Sequence, residues 1–234
     1  MVLGLAGLAA SAAGIVVQVL PRHFTAAQQQ EIIAWEIGKR WRTWPASQIF
    51  PAAVPYQLSG FGPDSGGSLH LTAHRIGVAG QASCESATDP SVARVLATHG
   101  CLAVLRATYQ DATGALAVTV GVVVLPGPAA AQASRPALVS AAGQALGIRA
   151  VPFAHTLAAQ FGDAQRQLSS VARAGPYLIM STVGYADGRP QVQESADPYT
   201  KGEMLSVEDG IGKLVGARLG AEPPAPRCPG APGC

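Results

Sequence analysis

From Val2 to Leu20 the chain carries no charged residue, nineteen positions broken only by Ser11 and Gln18. At 1.5 Å of rise per residue a helix of that length reaches about 28 Å, close to the ~30 Å hydrocarbon core of a bilayer. A secretory leader calls for a basic start and a shorter apolar stretch. Here no basic residue precedes the small-residue pattern Ala10-Ser11-Ala12, and Gly14-Ile15-Val16-Val17 carries the apolar run past it. The segment therefore predicts an uncleaved anchor over residues 2–20 with the lipid bilayer as its partner. Its glycines and alanines, Gly4, Gly7, Ala9, Ala10, Ala12 and Ala13, are the residues that close helix contacts in lipid use, which leaves room for a protein partner.

Two features pull the orientation in opposite directions. Arg22, Lys39, Arg40 and Arg42 all follow the span, and the bias of basic residues toward the cytoplasmic side would put the body there. The four cysteines fall instead as two close pairs, Cys84/Cys101 and Cys228/Cys234, an even count that suits disulfides and an oxidising compartment. The cysteines are given the greater weight. The expected placement is a single-pass protein of the cell membrane with its body extracytoplasmic, the cytoplasmic face being the alternative. Net charge is only +2 and no run of like charges is longer than Lys39-Arg40, so the chain lacks the phosphate-tracking stripe of a nucleic-acid binder.

Thr25-Ala26-Ala27-Gln28 matches a capping box, and Ile33, Ile37, Trp41 and Trp44 then recur at helical spacing up to Pro45. Residues 21–45 are read as an amphipathic juxtamembrane helix. Trp35, Lys39, Arg40, Trp41, Arg42 and Trp44 are the aromatic and basic residues of a helix lying in a membrane interface; in the alternative, Ile33, Ile37 and Trp41 pack on the body. Residues 46–68 collect Pro51, Pro55, Gly60, Gly62, Pro63, Gly66 and Gly67, a density of breakers that reads as linker. The folded body is accordingly placed at 69–220, and 221–234 is a Pro/Gly/Cys tail without regular structure.

Within the body the pattern predicts a strand over 69–78 and a helix opened by Asp89-Pro90 and stopped by Gly100. A hairpin follows, with arms 102–109 and 115–125 about a turn closed by Gly114. In its second arm Leu116, Val118, Val120, Val122 and Val124 share one face, and Thr119 and Gly121 on the other imply a helix or thin solvent cover there. The segment 126–136 reads as a joint, then come a helix near 137–146, strands over 168–173 and 177–185, and a last helix from Ser206 to about Leu219. Behind the transmembrane helix, this order predicts an α+β fold: a ferredoxin-like βαββαβ sandwich with extra C-terminal strands and helix. A curved sheet backed by helices is the alternative.

Candidate chemistry is sparse. His70 and His74 have a metal-like spacing for a helix, but on a strand they stand about 13 Å apart and share no ion. Asp187, Asp197, Ser181 and His155 each lie beside a turn signal that accounts for them. No catalytic residue, cofactor or metal is assigned. Cys84 and Cys101 bracket the helix at 90–99 and read as a staple, with Cys228 and Cys234 closing a small terminal loop.

Pro63-Asp64-Ser65-Gly66-Gly67-Ser68 is similar over four consecutive positions to the Gly-Asp-Ser-Gly-Gly-Pro loop of chymotrypsin-type serine proteases. That family places its His and Asp ahead of the serine on a first barrel, whereas only His23 precedes Ser65 here, so the segment is read as a glycine-rich linker. With arginine dominating lysine, abundant alanine and glycine, one span and a paired-cysteine body, the chain resembles single-pass membrane proteins of high-GC actinobacteria in composition and layout. The function expected is a membrane-anchored extracytoplasmic binding, sensor or scaffold domain without catalytic activity. The alternatives are an anchored or secreted hydrolase, or an accessory subunit of a membrane complex.

Overall fold

The computed structural model describes residues 24–61, 66–191 and 198–224. The anchor expected over residues 2–20, Ser65, Asp197 and the Cys228/Cys234 pair lie outside the described residues. Among those described, no helix is long and apolar enough to cross a membrane. Residues 37–221 form one compact unit, and residues 24–36 and 222–224 belong to a second. In the second, the capping box forms as read: the Thr25 N–H donates to Gln28 Oε1 at 2.9 Å and the Gln28 N–H to Thr25 Oγ1 at 3.2 Å. It opens α1 (Ala26–Thr43), on which Ile33 is buried and Trp35 exposed.

The compact unit is an antiparallel sheet in the order β1-β2-β3-β4-β6-β5, built from β1 (Ala53–Phe61), β2 (Gly67–Val78), β3 (Ala103–Gln110), β4 (Leu116–Val124), β5 (Arg166–Ala174) and β6 (Tyr177–Tyr185). Its helices are the end of α1, then α2 (Ala46–Ile49), α3 (Cys84–Ala87), α4 (Pro90–Thr98), α5 (Pro128–Ala142) and α6 (Pro198–Gly220). The five alternate apolar residues of β4 face α6, whose Met204, Val207, Ile211, Val215 and Leu219 are fully buried against them; each such burial contributes about 1.5–3 kcal/mol. α6 touches both edge strands, β1 and β5, as well as β4 and β6 between them, so the sheet curls around this helix.

Ile37, Trp41 and Trp44 of α1 pack into the same layer, and the Tyr177 hydroxyl donates to the Ile37 carbonyl at 2.6 Å. Arg40 is buried, and its guanidinium donates to the carbonyls of Arg218 at 3.2 Å and Leu219 at 2.6 Å. Those are the C-terminal carbonyls of α6, which have no acceptor role left inside the helix.

The opposite face of the sheet is covered by α4, α5 and a strap over residues 143–165. Three glycines make room for it. A Cβ on Gly77 would collide with the Phe153 ring, one on Gly121 would lie 2.5 Å from Ile148 Cδ1, and one on Gly184 would meet the Gln165 carbonyl. Polar strand groups tie the strap down: the Thr108 hydroxyl donates to the Val151 carbonyl at 2.7 Å, and the Val151 N–H donates to Thr119 Oγ1 at 3.0 Å. The second layer implied by Thr119 and Gly121 is therefore this strap.

The α+β class is met, and the ferredoxin-like strand order is not. β5 runs parallel to β4 with β6 between them, and α5 makes the crossing, which is one split βαβ unit. The first half departs from it, because β2 and β3 are antiparallel neighbours with Val78 opposite Ala107. Beyond β2 the chain keeps bonding to β3 through Ala79 and Ala82, so α3 and α4 leave and re-enter at one end of the sheet and no strand fits between. The layout is the curved, helix-backed sheet instead, with helices on both faces.

Two further boundaries are corrected. The range read as linker supplies β1, where Val54, Tyr56 and Leu58 alternate inward. Pro55 is tolerated because β1 is an edge strand, and Gly60 and Gly67 fall within β1 and β2 themselves. The Pro/Ala-rich joint at 126–136 is the first half of α5, with Pro128 at its first turn, where the missing N–H costs nothing. The hairpin of β3 and β4 forms as read, with Asp111 carboxylate oxygens accepting from the N–H groups of Thr113 at 2.8 Å and Leu116 at 2.7 Å.

Candidate ligand groove

α3 begins at Cys84 and is capped by Ser83, whose hydroxyl accepts from the Ser86 N–H at 3.2 Å. α4 follows at once, and Cys101 stands just before β3. The disulfide Cys84–Cys101 therefore clasps the base of the α3–α4 excursion, as the spacing of the two cysteines suggests. Both half-cystines line a groove of about 750 Å³ together with Ala93, Arg94, Ala97 and Leu102, and Arg149 of the strap forms the facing wall.

The strap wall is held by a buried ion pair. Asp89 precedes Pro90, where a carboxylate would cap α4, but it makes no such cap. Its carboxylate instead takes Arg166 in a two-pronged pair at 2.7 and 2.9 Å and accepts the Gly147 N–H at 2.8 Å. Burial pushes the Asp89 carboxyl up, and the bonds from Arg166 and Gly147 more than reverse this, leaving it below its ordinary value. Arg149 is placed by its own N–H, which donates to the Ala87 carbonyl at 2.8 Å. Its Nε is buried without a hydrogen-bond partner, and Asp163 Oδ2 stands 3.8 Å from it. Arg106 donates to the Arg149 carbonyl at 3.4 Å, its Nε is likewise buried and unpartnered, and burial holds its guanidinium below the usual value. Arg94 is exposed and makes no hydrogen bond or ion pair among the described residues.

Two other grooves also carry charged side chains, Asp209 and Lys213 in the first and Arg173 and Lys213 in the second. One of about 660 Å³ runs between β1 and α6 past His70, and its Asp209 and Lys213 pair with each other at 2.6 Å. The second, of about 510 Å³, lies between β5 and the glycines of α6. Buried polar groups elsewhere include Glu208 on α6, which accepts from the Ser181 hydroxyl at 3.0 Å, and Tyr56, whose hydroxyl is pushed up to about 12 chiefly by burial and donates toward Glu203 at 3.5 Å.

The residues singled out from sequence are dispersed. His70 and His74 are exposed on β2, and no cluster of metal-binding side chains occurs among the described residues. Ser181 faces Glu208, Asp187 pairs with Arg189 at 2.6 Å in an exposed turn, and His155 is exposed on the strap. Of the six interface candidates, Arg40 is buried, Trp41 and Trp44 pack on the core, and Arg42 stacks over Trp41 at 4.4 Å. Trp35 is exposed and Lys39 half-buried.

Sequence reasoning missed Arg94, Arg149 and Glu208. The two arginines are single cations from separate elements, and no spacing announces them. Glu208 did leave a signal, since it sits on the 204-208-211-215-219 stripe whose other members are buried and apolar. No family model, curated protein or solved structure matches the chain.

Proposed function

We infer that the compact unit is a binding domain, a sensor or scaffold module held at the outer face of a membrane by residues 2–20, and that the groove beside Cys84–Cys101 is where it binds. The observation that carries this reading is the disulfide at the groove's base. Such a bond persists in oxidising compartments, and this one fixes two walls of a surface groove whose volume falls in the range of ligand sites. The exposed guanidinium of Arg94 and that of Arg149, ion-paired with Asp163 at 3.8 Å, supply recognition chemistry, and the Thr108, Thr119 and Asp89–Arg166 contacts make the strap wall rigid.

The test is topological. In intact cells the body is expected to be digested by added protease, and Cys84 and Cys101 to resist alkylation until reductant is supplied. Alkaline carbonate is expected to leave the protein in the membrane. A protected body with two freely alkylated thiols would put the domain in the cytoplasm and remove the reading.

A further inference from the structure

The geometry points to a second copy of this chain as the partner of the β5 edge: the two β5 strands pair antiparallel about a twofold axis at Val171 and join two six-stranded sheets into one. This edge is separate from the groove beside Cys84–Cys101, and the pairing does not depend on what that groove binds.

The two edges of the sheet are finished differently. The Leu125 N–H donates to the Pro176 carbonyl at 3.1 Å, which fixes the alternation of β6: Tyr177, Ile179, Ser181 and Val183 turn their backbone groups to β5, where they meet Ala174, Ala172, Ser170 and Leu168. Ser169, Val171 and Arg173 therefore aim their N–H and carbonyl groups away from the sheet, and no hydrogen bond reaches those groups among the described residues. From Leu168 to Ala174 the pairing keeps one register, and the run has no proline, no glycine and a single charge. On β1 the Arg75 N–H donates to the Ala52 carbonyl, so the same alternation turns Pro55 outward, where it offers no N–H. The β1 pairing also slips between Ser59 and Phe61, and α6 comes so near that a Cβ on Gly210 would lie 2.8 Å from Tyr56 Cβ. Proline, a slip in register and cover are what keep an edge from pairing. β1 has all three, and β5 from Leu168 to Ala174 has none.

The β5 run is complementary to itself. Set antiparallel about Val171, the outward Ser169, Val171 and Arg173 of one copy face Arg173, Val171 and Ser169 of the other and exchange about six backbone hydrogen bonds. The two Arg173 positions then stand about 14 Å apart along the strands, beyond the ~8 Å over which salt screens charge. An axis at Arg173 would instead set like charges directly opposite and shorten the pairing.

Area favours a second copy over a lone strand. α6 packs on one face of β5 and α5 on the other, so the edge is three layers deep. The α6 layer opens there into the groove of about 510 Å³, whose Gly212, Gly216, Ala217, Gly220, Ala172 and Ala174 let a neighbour come close, and Lys213 is engaged with Asp209 at 2.6 Å. The run from Leu168 to Ala174 is about 24 Å long and three layers are about 30 Å deep. A second copy thus covers roughly 700 Å², near the ~800 Å² per partner of a stable interface. A single added strand meets only the middle layer.

The full chain, in the membranes of the cells that express it, is oxidised with copper phenanthroline, and linked dimers are read on a non-reducing gel and by the mass of the linked peptides. In the paired strands the two Val171 Cα atoms stand about 5.5 Å apart, within the span of a disulfide. Val171→Cys is expected to link about tenfold faster than Gln57→Cys on the β1 edge, because a held pair replaces chance collision. The register is read separately: chains with Ser169→Cys and chains with Arg173→Cys, expressed together, are expected to link to each other and neither to itself. Adding Arg173→Pro to Val171→Cys removes an N–H that only the second copy uses and is expected to lower linking to the Gln57→Cys rate, with Cys84–Cys101 still resisting alkylation. The mixed-chain experiment decides the matter should that variant not fold. Val171→Cys linking no faster than Gln57→Cys, Arg173→Cys linking to itself as well as to Ser169→Cys, or linking undiminished by Arg173→Pro would overturn the proposal. So would Val171→Cys linking to a different protein, which would make the edge a site for a foreign strand.

Discussion

The Ser181 hydroxyl of β6 donates to the Glu208 carboxylate of α6 at 3.0 Å, in a layer where the two residues are 1% and 2% exposed. Ser170 of β5 extends the chain, 2.7 Å from Ser181, and no cationic side chain pairs with Glu208 among the described residues. Its neighbours along the buried stripe, Met204 and Ile211, are apolar, and the adjacent Asp209 is engaged with Lys213. Burial accordingly pushes the Glu208 carboxyl from 4.5 up to about 7, against the lowering effect of the serine hydrogen bonds.

A carboxyl raised on folding stabilises the fold in its protonated form. Glu208 thus contributes fully below about pH 4.5, and the contribution fades as pH rises to about 7. The difference across that window is on the order of 3 kcal/mol. Denaturant midpoints measured from pH 4.5 to 8 are expected to fall with rising pH, and Glu208→Gln, which keeps a hydrogen-bonding partner for Ser181, is expected to flatten the slope and to be the more stable chain at pH 8. An unchanged slope in that variant would show that the carboxyl is already ionised in the fold.

Asp89 and Arg166 form the opposite case, a buried pair with its charges matched and the Gly147 N–H added. Removing one partner strands the other, so Asp89→Ala is expected to cost about 3–5 kcal/mol, and the apolar double replacement Asp89→Leu/Arg166→Met distinctly less. Since the Asp89 carboxyl is held below its ordinary value, its share of stability is present above the unfolded value and lost as pH falls through the folded one. That is below the window in which Glu208 acts. A double-mutant cycle read by urea unfolding measures both, and additive losses would mean that the pair is not coupled.

The glycines divide into those that admit a neighbour and those that do not. Gly121 on β4 leaves the socket that Ile148 fills, whereas nothing lies within 4 Å of a Cβ added at Gly212 on α6. Gly121→Ala is therefore expected to displace the strap at about 1–3 kcal/mol. Gly212→Ala is expected to stabilise by up to about 1 kcal/mol through helix propensity alone. Thermal unfolding of the two variants gives the comparison, and a shift of the same sign in both would remove the socket explanation.

What could be read from the sequence follows from how local the signals are. Asp111 and Gly114 specify the β3–β4 turn within five residues, Thr25 and Gln28 the start of α1 within four, and the alternation of Leu116 to Val124 gives one buried face of β4. The sheet order is not local. Whether β2 lies beside β3 is decided by Ala79 and Ala82 continuing to bond to it, and neither residue differs in kind from those around it. β1 was hidden because its inward Val54, Tyr56 and Leu58 are interleaved with Pro55 and followed by glycines, and breakers outweigh a three-residue alternation. The groove was hidden for the same reason as the sheet order, since Arg94 and Arg149 are 55 positions apart and come to line one groove only once the strap is folded back.

The disulfide tests the excursion it closes. Cys84 and Cys101 are 17 positions apart, and a closed loop of that size restricts the unfolded chain by roughly 3 kcal/mol. The excursion is otherwise fastened by the Ala82–Val104 bridge and by Asp89, whose backbone N–H and carboxylate both reach Gly147. Replacing both cysteines, Cys84→Ala with Cys101→Ala, is expected to lower stability by about that amount and to open α3 and α4 to protease ahead of the sheet, because α3 is a single turn of four residues. α6 is expected to keep its protection from amide exchange, since the core it forms with the alternate residues of β4 lies on the face opposite α3 and α4. If exchange instead accelerates across the whole unit by one common factor, the excursion and the sheet unfold together, and the disulfide holds the entire fold rather than the groove.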